Sequence, residues 1–164
     1  MSLAPALAPP PVVRSAGPHD AARLAALSRP FVRTGALRER PVSLYAARAA
    51  DFLVVRGPGG GFDGCVGLRV YPAAADGAEG SAGVLYNFCV AAGRQGGGLG
   101  GALLRSVLDR ARSRSLTALF TATTGDGRLF GRYGFISAEP DRAPRAWVRE
   151  LDPRRGARIL RRAL

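Results

Sequence analysis

Apolar positions along the chain change their period several times, and each change predicts an element. Val12 to Ser15 reads as a short strand. After the Gly17-Pro18 break, Leu24, Leu27 and Phe31 recur at helical spacing. Pro41 suits the first turn of a second helix, Pro41 to Ala50, which offers Val42, Leu44 and Tyr45 for burial. Asp51 to Arg56 then predicts a strand, Gly57 to Gly61 a turn, and Gly64 to Tyr71 the hairpin partner. Small and polar residues make Pro72 to Gly83 a loop. The most hydrophobic strand candidate, Ala82 to Ala91, leads into a helix with Leu99, Leu103, Leu104, Val107, Leu108 and Ala111 on one face. Leu116 to Thr123 is another strand, Gly127 to Tyr133 a short helix and Phe135 to Ala138 a strand. An arginine-rich tail carries Trp147, Val148, Leu151, Ile159 and Leu160, which predicts a short helix and a last strand at Arg158 to Leu164. This order describes an α/β (α+β) domain, a mixed sheet with helices on its faces.

With 164 residues, 47% of them apolar, one domain can bury its own core. Residues 12–164 form that domain, and the Ala/Pro-rich residues 1–11 read as a disordered leader. The leader has neither a basic start nor an apolar run long enough for a signal peptide or membrane span, so a cytoplasmic location and no membrane partner are expected. Cys65 and Cys89 form no CxxC pair, and with His19 as the lone histidine neither a disulfide framework, a His-based triad nor a metal site is expected.

The charge of +12 comes from 24 arginines and no lysine. Without lysine there is no Walker A loop, Schiff-base enzyme or Ser-Lys nucleophile pair. The arginines run from Arg14 to Arg162 rather than clustering, so nucleic acid is not the expected partner. A basic cleft for a small anion such as coenzyme A accounts for the charge equally well.

The chemistry concentrates in one turn. Gln95, Gly96, Gly97, Gly98, Leu99, Gly100 and Gly101 join the hydrophobic strand to the amphipathic helix. Side-chain-free residues there let backbone N–H groups approach phosphate oxygens at a helix N-terminus. Gly96, Gly98 and Gly101 also satisfy GxGxxG, but a dinucleotide fingerprint follows the first strand of its domain. Here at least three strands precede it.

Strand, then Gln95-x-x-Gly98-x-Gly100, resembles the Q/R-x-x-G-x-G/A signature of the GNAT acyltransferases. Segments 29–37, 51–55 and 119–124, with Phe130, Gly134-Phe135 and 155–160, are similar to the acetyltransferase domain of N-acetylglutamate synthases, in particular the short stand-alone bacterial type. The resemblance implies a sheet splayed between its fourth and fifth strands. It further implies acetyl transfer from acetyl-CoA to the α-amino group of L-glutamate, the opening step of arginine biosynthesis, without a metal. On that basis backbone groups at Phe88, Cys89 and Val90 meet the pantetheine and the glycine turn holds the pyrophosphate. Arg29 and Arg155 match family arginines and become the candidates for the substrate carboxylates. Family members are often dimeric, which leaves a homodimer open.

Departures from the family pattern leave the proton path unassigned. Val84 and Tyr86 stand where the family often has an acid and an arginine, and Ala157 replaces a serine. Phe130 occupies the place of the tyrosine acid of many relatives. Tyr133 and Tyr86 remain as acid candidates, and Glu79 or Asp76 as bases. Three readings stay open: a glutamate acetyltransferase, an acetyltransferase for another small amine such as the arsenic-resistance type, and an idle acyl-CoA-binding regulatory domain.

Overall fold

The computed structural model describes residue 4, residues 10–73 and residues 80–164. The leader therefore lies almost wholly outside the described residues, as do Asp76 and Glu79. Seven strands form one sheet in the order β1-β2-β3-β4-β5-β7-β6. They are β1 (Val13–Ser15), β2 (Phe52–Arg56), β3 (Phe62–Tyr71), β4 (Ala82–Val90), β5 (Ala118–Thr123), β6 (Ile136–Ser137) and β7 (Arg158–Ala163). Five α-helices accompany them: α1 (Ala21–Arg33), α2 (Val42–Ala47), α3 (Leu99–Ser113), α4 (Arg128–Arg132) and α5 (Arg145–Glu150). Among the described residues, no helix is long and apolar enough to cross a membrane.

Strand β2 shows how the sequence builds the layers. Leu53 and Val55 point to the face covered by Leu99, Leu103 and Val107 of α3, whereas Phe52 and Val54 join Leu24 and Leu27 of α1 and Tyr45 of α2 on the other. Successive side chains of a strand alternate faces, so a run buried throughout must be covered twice. Further along the second face, Phe120, Ile159 and Val84 pack under Trp147 of α5.

The second predicted helix is shorter than expected, because a 3-10 turn over residues 49–51 takes its last residues. The last strand is inserted between β5 and β6, which sequence order alone does not reveal. Two irregularities of β4 shape the functional region. It pairs parallel with β5 only from Ala82 to Val84, opposite Ala118 to Phe120, and beyond that the strands part. On its other edge the pairing with β3 slips between Cys65/Cys89 and Gly67/Tyr86, so β4 carries one extra residue around Asn87. Asn87 takes the left-handed conformation at φ 50°, which bends the strand away from β5.

Candidate active site

The gap left by the parting strands is a cavity of about 710 Å³, walled by β4 from Leu85 to Val90, by Thr121 to Gly125, and by the glycine turn. Its backbone edge follows from the register. Ala91 N–H donates to Asp63 O of β3 at 2.7 Å, so by alternation Val90 turns its own N–H and carbonyl to the gap. Cys89 stands opposite Cys65 in the same ladder and keeps its backbone on the β3 side. The bulge resets the alternation and leaves Phe88, with Val90, facing the split.

At the mouth of the cavity the turn divides its glycines between two tasks. Gly96 and Gly98 have φ of 81° and 87°, and a Cβ at either would meet nothing within 4 Å. They serve backbone shape and open space. Gly100 and Gly101 line the same cavity but are glycines for packing, since a Cβ would lie 2.7 Å from Leu129 Cδ2 or 2.5 Å from Tyr133 Oη of the neighbouring helical turn. Ala102 N–H donates to Gly98 O at 3.0 Å as the first helical bond. Among the described residues, the amides of residues 95–101 meet no backbone acceptor. Free amides at the positive end of a 15-residue helix, with no side chain in the way, fit a diphosphate. Gln95 points inward instead, its Nε2 donating to Val90 O at 3.1 Å.

A second lobe of about 360 Å³ adjoins the first around Leu85, Tyr86 and Asn87 and carries Arg38, Arg40 and Arg155. Asn87 organises the junction. Its Nδ2 donates to Ser28 Oγ at 2.8 Å, and its Oδ1 accepts from Tyr45 Oη and from Arg40 Nη1, both at 3.1 Å. Helix α1, helix α2 and the segment between them are thus tied to the bulge. Burial pushes the pKa of Arg40 down, and the charges of Arg38 and Arg155 push the same way. Arg155 Nη2 donates to Gly35 O at 3.0 Å and Ala36 O at 3.2 Å, closing the lobe over that segment.

The structure brings Phe88, Cys89, Val90, Gln95, Gly96, Gly98, Leu99, Gly100 and Gly101 together around the main cavity. Gly97 sits in the turn but outside the lining, and Arg29 lies exposed on α1 away from both lobes. Tyr133 faces the outer side of α3, where its hydroxyl accepts from Arg105 Nη1 at 2.8 Å. Tyr86 lines both lobes, but its hydroxyl donates to Asp51 Oδ2 at 2.6 Å. Burial, and after it the Asp51 carboxylate, hold its pKa far above the ordinary phenol range, so the proton stays on that oxygen. Arg38, Arg40 and Asn87 were not singled out from the sequence. The available signals were an Arg-x-Arg-Pro run entering a helix and a polar residue interrupting the apolar VLYNFCV strand.

A sheet opened between two parallel strands, with a glycine-rich helix entrance at its mouth, has the shape to admit a thioester arm and hold its diphosphate. Residues 24–135 match the acetyltransferase (GNAT) family model, and the chain belongs to that family. It is a fold whose members transfer acetyl from acetyl-CoA to an amine, and among the described residues no side-chain cluster is suited to a metal. Amino-acid acetyltransferases of two Neisseria meningitidis strains are each 30% identical over 132 residues, covering 80% of this chain. The chain spans about 29% of the length of those relatives. N-acetylglutamate synthase from Neisseria gonorrhoeae, solved with coenzyme A and N-acetyl-glutamate, superposes with a TM-score of 0.82 at 29% identity, covering 93% of this chain and 35% of that one. Rv2747 from Mycobacterium tuberculosis, solved in complex with CoA, superposes with a TM-score of 0.74 at 24% identity over 94% and 99% of the two chains.

Proposed function

We propose that the chain acetylates the α-amino group of an acidic amino acid, with L-glutamate as the acceptor. The carrying observation is the convergence of Arg38, Arg40 and Arg155 on the lobe that opens at Asn87. Three guanidiniums close enough to press on one another, one of them substantially buried, are relieved by an anion. Glutamate brings two carboxylates to them and leaves its amine free to face the gap. The likeness to N-acetylglutamate synthase and to amino-acid acetyltransferases supports the same acceptor.

In this reading the amides of the glycine turn hold the diphosphate, and Phe88 and Val90 pair their backbone with the pantetheine as an added strand would. The thioester carbonyl then lies by the bulge, where a backbone N–H stabilises the charge that develops on its oxygen. The amine attacks that carbonyl, a C–N bond forms, the C–S bond breaks, and the thiolate leaves to be protonated. Tyr86 keeps its proton, which it donates to Asp51 in a hydrogen bond, and Tyr133 lines neither lobe, so the amine proton departs through water. Glu79, the candidate base read from the sequence, lies outside the described residues.

A second reading, another small amine as acceptor, draws on Ala157. It lines the lobe where the family's serine would supply one more carboxylate contact. Free-thiol release from acetyl-CoA, measured against a panel of amino acids and small amines, tests both. Turnover confined to glutamate is expected. Turnover with other amines alone would replace the acceptor, and tight CoA binding without any turnover would make the chain an idle binding domain.

A further inference from the structure

Beside the acceptor lobe lies a recess of about 300 Å³ that shares Arg38, Arg40, Tyr86 and Trp147 with it but has a wall of its own in Arg48, Arg69 and Tyr71. Tyr71 is 8% exposed, and its buried hydroxyl has no hydrogen-bond partner among the described residues. Arg69 stacks over the Tyr71 ring at 4.9 Å, and its Nη1 donates to Glu150 Oε2 at 3.3 Å. Four guanidiniums thus line the recess against two carboxylates, Glu39 and Glu150. A buried hydroxyl left unsatisfied calls for a partner, and surplus positive charge around it favours an anionic one.

The geometry points to a second binding site here, for a small carboxylate that accepts from Tyr71 Oη and pairs with Arg48 and Arg69. The recess holds a molecule of a few carbons rather than a cofactor. Its occupant also draws on Arg38 and Arg40, which the proposed acceptor uses, so the inference rests on that reading for its consequence though not for the binding itself. One guanidinium cannot serve two carboxylates at full strength. Occupation therefore raises the KM for the acceptor and leaves the KM for acetyl-CoA unchanged.

Succinate is a suitable probe, because without an amine it cannot be acetylated. Calorimetric titration uses the full chain as Arg155→Ala, in which the acceptor lobe is weakened, with and without Tyr71→Phe. Succinate should still bind to Arg155→Ala, and adding Tyr71→Phe should weaken that binding at least five-fold. Arg48→Gln, an exposed position, should weaken it as well, which guards against a folding defect in the tyrosine variant. Absence of binding to Arg155→Ala, or equal binding with Tyr71 and Arg48 replaced, overturns the site. Because calorimetry needs no turnover, a wrong acceptor assignment would show in the thiol-release panel and leave this result standing.

Discussion

Asn87 Nδ2 donates to Ser28 Oγ at 2.8 Å, and Ser28 Oγ donates in turn to Leu24 O at 2.8 Å, so the bend in β4 is bolted to the interior of helix α1. Both residues are buried, at 3% and 1% exposure. Asn87→Ala removes the acceptor of Tyr45 and Arg40 and places alanine at a positive φ. Loss of about 3 kcal/mol is expected from the orphaned polar groups and the backbone strain together. Chemical denaturation measures the loss. Turnover of the folded fraction should fall too, since the bulge presents the backbone proposed to face the thioester.

The glycine turn gives a paired prediction. Gly98→Asp puts a carboxylate into open space at the proposed diphosphate position and should abolish acetyl-CoA binding with the fold retained, at a backbone cost of about 1 kcal/mol. Gly100→Ala meets Leu129 and should chiefly lower thermal stability. Calorimetry with CoA and a melting curve on both variants separate the two roles. Equal CoA affinity in Gly98→Asp would remove the phosphate assignment.

Arg155→Ala opens the acceptor lobe without touching the turn. It should raise the KM for glutamate at least ten-fold, equivalent to about 1.4 kcal/mol, with little change in the KM for acetyl-CoA. Steady-state kinetics in both substrates give the comparison. Equal shifts would argue against its contact with a carboxylate.

Asp20 supplies a pH dependence. It is fully buried, accepts from Arg14 Nη1 at 2.9 Å and from Gly17 N–H at 2.9 Å, and joins β1 to the start of α1. The Arg14 hydrogen bond leads in holding its pKa well below the usual carboxylate range, against an opposing cost of burial. A depressed folded-state value means that the stabilisation is fully present above the unfolded carboxylate pKa of about 4 and disappears as pH falls through the folded value. Denaturation at pH 7 and at pH 2.5 should show wild type losing more stability on acidification than Asp20→Asn. Identical losses would assign acid sensitivity elsewhere.

The layers were legible because burial writes itself as period: Phe52 to Val55 alternate between two covered faces, and Leu99 to Ala111 repeat along one side of a helix. The glycine turn at the mouth of the cavity was legible because its residues are contiguous. Dividing its glycines was not, since the atoms that forbid a Cβ at Gly100 and Gly101 belong to Leu129 and Tyr133, about thirty residues later. Of the two arginines read from the sequence, Arg155 lines the lobe and Arg29 does not, and contiguity could not have told them apart. With 24 chemically identical side chains, only the closing of α2, the β7 approach and the bulge on one another selects Arg38 and Arg40 beside Arg155, and leaves Arg29 in solvent. Asn87 was hidden in a strand whose hydrophobicity drew attention to its neighbours, although the extra residue it introduces breaks strict alternation.

The three-residue pairing of β4 with β5 has an evolutionary corollary. The main cavity is drawn by the main chain, through a short parallel ladder and one left-handed residue, whereas the lobe proposed for the acceptor is lined by side chains borne on separate connecting segments. A lineage can therefore exchange a few guanidiniums for other groups and acquire a new amine while the donor's berth is inherited intact.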